Sequence, residues 1–187
     1  MFKPITARTV FIAIAAASLS PVLSASAMAN PMVGGAAMYS NKTIVDNAVN
    51  SKDHTTLVAA VKAAGLVDTL SGPGPFTVFA PTNEAFNKLP AGTVDTLVKP
   101  ENKDMLTKIL TYHVVAGRMT SKDIMAAIKA GGGKAMLTTV QGEPLTASMM
   151  NGKLVLTDAK GGMATVSIKD VMQSNGVIHV VDTVLMP

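Results

Sequence analysis

Residues 76–86 constrain the fold more than any other stretch, because the hydrophobic period changes partway along them. They read Phe-Thr-Val-Phe-Ala-Pro-Thr-Asn-Glu-Ala-Phe. The first four residues have the aromatic and β-branched content of a strand and no polar face, which predicts a strand that runs through the core. Pro81 cannot donate a ladder hydrogen bond and ends that strand, while Thr82 and Asn83 offer acceptors to the free amides of a following helix. Phe86 then falls on the apolar face of that helix.

A second core strand is predicted near the C-terminus. Asn175 and Gly176 form a tight-turn dipeptide, and a long apolar run follows them. Such a run has the composition of a buried strand. His179, Asp182 and Thr183 are the polar residues that interrupt it. We expect Asp182 to stabilise a turn or to accept a hydrogen bond from a backbone amide near this last strand.

The rest of the chain divides into a helical first half and a strand-rich second half. Apolar residues recur at helical spacing before residue 131. Four later stretches have the composition of strands, namely residues 135–140, 145–150, 153–157 and 164–168. Asn151 and Gly152 predict a type I′ hairpin between the second and third of these. Because the early core strand must pair with later ones, we predict a single α+β domain.

Residues 109–117 lie between the two core strands and read Ile-Leu-Thr-Tyr-His-Val-Val-Ala-Gly. Together with residues 76–86 and 175–187, they resemble the central Tyr-His motif and the two signature regions of the fasciclin domain. The resemblance implies a fasciclin-like wedge-shaped β-sandwich flanked by several helices, in a single-domain secreted bacterial protein. We expect the structural motif of this fold to consist of Phe79, Pro81, Thr82, Asn83, Phe86, His179 and Asp182.

Residues 1–29 have the pattern of a secretory signal peptide. Basic residues precede an apolar run over residues 10–19, and small residues follow at the spacing of a cleavage site. We predict cleavage after Ala29, with cleavage after Ala27 as the alternative. The apolar run is shorter than the ~20 residues that cross a bilayer. We therefore expect a secreted protein, periplasmic or extracellular, without stable membrane insertion; an uncleaved membrane anchor is the alternative.

The mature chain is expected to be a single domain without disulfides. Residues 30–41 are rich in Gly, Ala, Met and Pro and lack periodicity, which predicts a flexible N-terminus before a fasciclin-like domain over residues 42–187. The sequence contains no cysteine, and loss of Lys3 and Arg8 with the leader lowers the net charge from +4 to +2. The basic residues are scattered, so we do not expect nucleic acid as a partner. The alternative is a basic patch that forms only when the chain folds.

The sequence predicts no metal site, no cofactor and no enzymatic activity. His54, His113 and His179 lack the paired spacing of a metal site, and cysteine ligands are absent. His179 and Asp182 lie close in sequence, but no Gly-x-Ser-x-Gly nucleophile motif accompanies them. A Cu(I) site of thioether ligands is the alternative to core packing for the 13 methionines.

Tyr112 and His113 are candidates for partner binding through the resemblance alone. In animal extracellular-matrix relatives, a Tyr-His pair flanked by aliphatic residues is implicated in integrin-dependent adhesion. Neighbouring side chains on a strand point to opposite faces, so we expect at most one of the two rings to be exposed. A mainly structural pair, with its polar atoms hydrogen-bonded, is the stronger hypothesis.

Asp170 and Met172 are further candidates for partner binding. They match a Glu-Pro-Asp-Ile-Met segment of the adhesive relatives, whereas Ile168 and Lys169 depart from it. A surface turn that leads into the last strand is the alternative.

The function that these observations favour is non-catalytic. We expect an exported protein that mediates cell adhesion or envelope and extracellular-matrix interactions, by binding a cell-surface or matrix protein or polysaccharide through an exposed patch. The alternative is a periplasmic carrier of a small apolar ligand, held in a cavity near Tyr112 or His113, since ligand sites favour concave apolar pockets.

Overall fold

The computed structural model describes residues 30–187, so the predicted signal peptide over residues 1–29 lies outside the described residues. The strands are β1 (Met32–Val33), β2 (Ala36–Ala37), β3 (Phe76–Pro81), β4 (Val114–Ala116), β5 (Lys134–Thr138), β6 (Pro144–Met150), β7 (Lys153–Thr157), β8 (Met163–Gln173) and β9 (Gly176–Val181). The α-helices are α1 (Ile44–Ala48), α2 (Thr55–Ala64), α3 (Val67–Ser71), α4 (Asn83–Asn87), α5 (Thr93–Leu97), α6 (Lys103–Tyr112) and α7 (Ser121–Ala130). Two 3-10 helices occupy Lys52–His54 and Pro100–Asn102.

The larger sheet is mixed and bends into two halves at β8. Its strand order is β4-β3-β9-β8-β7-β6-β5, with β3 and β9 parallel. The end of β8 pairs with β9 and its beginning with β7, and the β8–β9 register shifts on both sides of Ile168. A bridge between Val115 and Thr139 brings the two outer strands together. The result is a nearly closed, wedge-shaped sandwich with helices on its outside, which confirms the α+β fold class.

Strand β3 separates two hydrophobic cores. Val78 and Ala80 pack with helices α1–α6 in the first core, whereas Phe79 faces the interior between the sheet halves. Alternate strand residues point to opposite faces, and here both faces are covered. Strand β9 is buried at all six positions. The continuous apolar runs of both strands therefore reflect burial on two sides.

The change from strand to helix at residues 81–83 occurs where the period changes in the sequence. Pro81 is the last residue of β3, and Thr82 caps α4 by accepting a hydrogen bond from the amide of Ala85 at 3.2 Å. Asn83 has a different role from the one predicted. Its Oδ1 accepts a hydrogen bond from the amide of Thr56 at 3.0 Å, so it caps the neighbouring helix α2. The N-cap residue of α2 makes no such side-chain bond, and Asn83 supplies the missing acceptor.

Residues 30–41 form a hairpin packed on the core rather than the flexible N-terminus that their composition predicts. Strands β1 and β2 pair, and Val33 and Met38 are only 3% and 2% exposed. The amide of Tyr39 donates to Oδ1 of Asn47 at 3.1 Å, and Nδ2 of Asn47 donates back to the carbonyl of Tyr39 at 2.7 Å. Apolar burial and this paired hydrogen bond outweigh the chain entropy of the Gly-rich stretch.

The β6–β7 hairpin has the turn that the sequence predicts. Asn151 and Gly152 both have positive φ, 51° and 75°, as a type I′ turn requires. Within the part of the chain that the structure describes, no helix is long and apolar enough to cross a membrane.

Candidate functional site

Tyr112 and His113 lie at the junction of α6 and β4, not on a strand as predicted. Tyr112 ends the helix and His113 is its C-cap residue. The aliphatic residues before the pair are helical, whereas those after it form β4, so a uniform apolar run concealed the boundary. The two residues are 0% and 2% exposed.

Both rings are hydrogen-bonded in the interior. The Tyr112 hydroxyl donates to the carbonyl of Pro144 and accepts from the amide of Ala159, each at 3.1 Å. Nε2 of His113 accepts from the amide of Leu185 at 3.0 Å, so Nδ1 carries the proton and donates to the carbonyl of Ile109 at 2.8 Å. Burial lowers the pKa of His113 to about 4 and raises the pKa of Tyr112. The pair connects α6 to the start of β6, the β7–β8 loop and the C-terminal segment, and neither ring is available to a macromolecular partner.

Asp170 occupies the irregular part of β8 and holds the first turn of α7. It has a φ of 58°, and its Oδ1 accepts from the amide of Ser121 at 2.6 Å, while the Ser121 hydroxyl donates to Oδ2. The amide of Asp170 donates to Nδ1 of His179 at 3.3 Å. Residues 168–172 lie within β8, so the alternative prediction of a surface turn at this position is wrong.

His179 completes this connection from inside the sheet. With Nδ1 accepting from Asp170, its Nε2 carries the proton and donates to the carbonyl of Met119 at 2.9 Å. The ring stacks on Phe79 with centroids 5.6 Å apart, and burial lowers its pKa. Strands β3, β8 and β9 and the start of α7 thus form one hydrogen-bonded unit. Met172, by contrast, is half-buried opposite Val177 of β9.

Asp182 stabilises the neighbouring part of β8. Its Oδ1 accepts from the amide of Thr165 at 2.8 Å. Nζ of Lys88 donates to the carbonyl of Asp182 at 2.6 Å and lies 3.9 Å from its Oδ2.

A groove of about 430 Å³, which we call the β8 groove, opens beside Asp170. The β7–β8 ladder ends at the pair Val155 and Thr165, although both strands continue beyond it. The groove lies there, between the β6–β7 hairpin, β8 and the first turns of α7. It is lined by Ser121, Met125, Met149, Gly152, Lys153, Leu154, Thr165, Val166, Ser167, Lys169 and Asp182.

The rim of the β8 groove is cationic. Lys153 and Lys169 are exposed and come from different strands. Among residues 30–187, the one Lys–carboxylate pair within 4.0 Å joins Lys88 and Asp182. Asp182 is thus paired with Lys88, whereas Lys153 and Lys169 have no carboxylate partner within 4.0 Å among these residues.

A second, smaller cavity touches His113 between the helices and β3. It measures about 40 Å³ and is lined mainly by aliphatic side chains of α1, α2, α3 and β3. Pockets for small ligands typically measure roughly 300–1,000 Å³. The cavity that the carrier hypothesis predicts is thus present, but it is too small in this conformation for such a ligand.

The described residues contain no group of three or more His, Asp or Glu side chains that could hold a metal ion.

A model of the fasciclin domain matches residues 52–187 of the chain. The protein belongs to the fasciclin domain family. This shows that the resemblance found in the three sequence segments is correct.

Relatives of this fasciclin domain occur in bacteria. The Synechocystis protein sll1483 is 51% identical over 156 residues, which span 83% of this chain and 79% of that protein. The immunogenic protein MPB70 of Mycobacterium bovis is 36% identical, with 99% of this chain and 97% of the relative covered. A FAS1 domain pair from the insect cell adhesion molecule fasciclin I has the same fold, with a TM-score of 0.69 at 21% identity over 78% of this chain and 51% of that one.

Lys153 and the groove walls were missed by the sequence interpretation. The hairpin that carries Lys153 was predicted, and Lys169 was noted as a departure from the family segment. Their position on one groove depends on where the β7–β8 ladder ends, and no local pattern in the sequence encodes that position.

Proposed function

We propose that this fasciclin domain is an exported, non-catalytic protein that mediates adhesion or other interactions at the cell envelope or in the extracellular matrix. Its contact surface is the β8 groove, which binds a cell-surface or matrix protein or polysaccharide. The observation that supports this most is the pair Lys153 and Lys169 on the groove rim, both without a carboxylate partner among the described residues. The signal-peptide pattern of residues 1–29 supports export.

Burial supports the groove over the Tyr-His pair as the contact surface. A partner reaches a side chain only if it is exposed, and Tyr112 and His113 are at most 2% exposed. In this proposal Asp170 does not contact the partner but shapes the groove. It fixes the start of α7, which supplies Ser121 and Met125 to the groove wall.

The small size of the cavity at His113 supports a surface-binding role over that of a carrier whose ligand lies beside this residue. The cavity at His113 measures about 40 Å³, whereas the β8 groove measures about 430 Å³ and is open to the surface. Cationic side chains at such a rim speed association with an anionic partner and select against other partners.

The experiment compares charge reversal inside and outside the groove. We expect the Lys153→Glu/Lys169→Glu variant to lose about tenfold or more in binding to intact cells of the source organism, since like charges across an interface are repulsive. Its melting temperature should stay near that of the parent, because both lysines are exposed. Lys99→Glu/Lys108→Glu is the matched control, as these exposed lysines do not line the groove. Equal binding by the two double variants would refute the proposal.

A further inference from the structure

The inner wall of the β8 groove is apolar and adaptable. Met125 of α7 is half-buried, and Met149 of β6 is 40% exposed. Leu154 and Val166, which also line the groove, are buried. Unbranched methionine side chains repack easily around apolar groups of different shape. The groove can therefore accept an apolar side chain without requiring one particular shape.

The rim of the groove favours negative charge in its ligand. Lys153 lies on the β6–β7 hairpin and Lys169 on the irregular part of β8, so cations border the groove on two sides. Asp182 is the one acid among the lining residues, and its Oδ1 already accepts from the amide of Thr165. A ligand with carboxylates on either side of an apolar group complements this arrangement.

A protein segment fits this chemistry better than a polysaccharide does. Among the described residues, no aromatic side chain lines the groove, so sugar rings find no flat apolar face on which to stack. Acidic side chains and one apolar side chain can instead come from neighbouring positions of an extended polypeptide, whose alternate side chains point in opposite directions.

We infer that the β8 groove binds an acidic segment of a partner protein, with an apolar side chain of that segment between Met125 and Met149 and carboxylates at Lys153 and Lys169. The inference rests on the proposed function and specifies the partner of the same groove. It places recognition in a charged rim around a methionine-lined interior.

Methyl NMR of the mature protein, labelled with ¹³C at the methionine methyl groups, tests this inference. The probe is a synthetic peptide in which glutamates flank a single leucine. We expect the peptide to shift the Met125 and Met149 signals and to leave those of Met136 and Met163 unchanged, although these two are 73% and 54% exposed. Replacing the glutamates by glutamine, or the leucine by serine, should weaken binding about tenfold or more. Lys153→Gln/Lys169→Gln should do the same to the parent peptide.

Three results would overturn the inference. The first is a peptide that leaves Met125 and Met149 unshifted at millimolar concentration, and the second is an equal response to the glutamine peptide. The third is a shift of both methionines by alginate, an acidic polysaccharide, but not by the peptide. If the cell-binding loss of Lys153→Glu/Lys169→Glu persists in any of these cases, the proposed function stands and only the partner class is wrong.

Discussion

At the residue scale, the side chains of the family motifs act mainly through hydrogen bonds to backbone groups. His179 bonds to the amide of Asp170 and the carbonyl of Met119, and His113 to the amide of Leu185 and the carbonyl of Ile109. Each imidazole is fixed as one neutral tautomer, because one ring nitrogen accepts and the other donates. These residues connect elements that are distant in sequence.

Asp170→Asn should loosen the start of α7. Asparagine tolerates the positive φ of this position, so the substitution removes the carboxylate without adding backbone strain. The two bonds from Ser121 end on a charged group, whose loss should lower the free energy of unfolding by about 1–3 kcal/mol. Amide exchange of Ser121 should become faster. An unchanged unfolding free energy in urea titration, with unchanged exchange, would contradict this role.

At the element scale, one dipeptide caps two helices. Thr82 bonds to the amide of Ala85 in α4, whereas Asn83 bonds to the amide of Thr56 in α2. Adjacent side chains thereby attach α2 to the point where β3 changes into α4.

Thr82→Ala and Asn83→Ala should have separable effects. Each substitution removes one cap and should cost about 1 kcal/mol of stability. Hydrogen exchange distinguishes the two caps. The Thr56 amide should exchange faster in Asn83→Ala alone, and the Ala85 amide in Thr82→Ala alone. Faster exchange of Ala85 and unchanged exchange of Thr56 in Asn83→Ala would mean that Asn83 caps its own helix.

The elements differ in how far the sequence could predict them. Strand β3, the start of α4 and the turn at Asn151 and Gly152 depend on neighbouring residues, and their periodicity and turn chemistry were sufficient. The α6–β4 boundary was missed because aliphatic residues continue across it. The ordered hairpin at residues 30–41 was missed because its stability comes from burial of Val33 and Met38 against distant parts of the chain.

The candidate site was predictable only in part, for the same physical reason. Asp170 was identified through the family resemblance. Its contact with Ser121 and the position of Lys153 and Lys169 on one groove result from the bend of β8, which depends on tertiary pairing.

At the scale of the whole molecule, buried neutral histidines should make stability depend on pH. Burial lowers the pKa of His54, His113 and His179, and that of His113 to about 4. The unfolded chain takes up protons near the ordinary value of about 6.5, whereas the folded chain resists them. The stabilisation is therefore complete above about pH 6.5 and is lost as the pH falls towards the folded pKa.

The His113→Gln variant tests how much of this pH dependence of stability comes from His113. For the parent, we expect the free energy of unfolding to fall by at least about 2 kcal/mol between pH 7.5 and 5, from His113 alone. The variant should be less stable at pH 7.5, but its stability should fall less on acidification. Urea titrations at both pH values measure this. Parallel losses in the parent and the variant would mean that His113 is not protonated preferentially in the unfolded state.

The central claim is that the Tyr-His pair supports the fold while the β8 groove binds the partner. The most direct test measures melting temperature and cell binding for Tyr112→Phe and Lys153→Glu/Lys169→Glu in parallel. We predict that Tyr112→Phe melts earlier and binds normally below its transition, because it loses only interior hydrogen bonds. The lysine variant should melt normally and lose binding. The reverse result, with binding lost in a stably folded Tyr112→Phe and retained in the lysine variant, would contradict the claim.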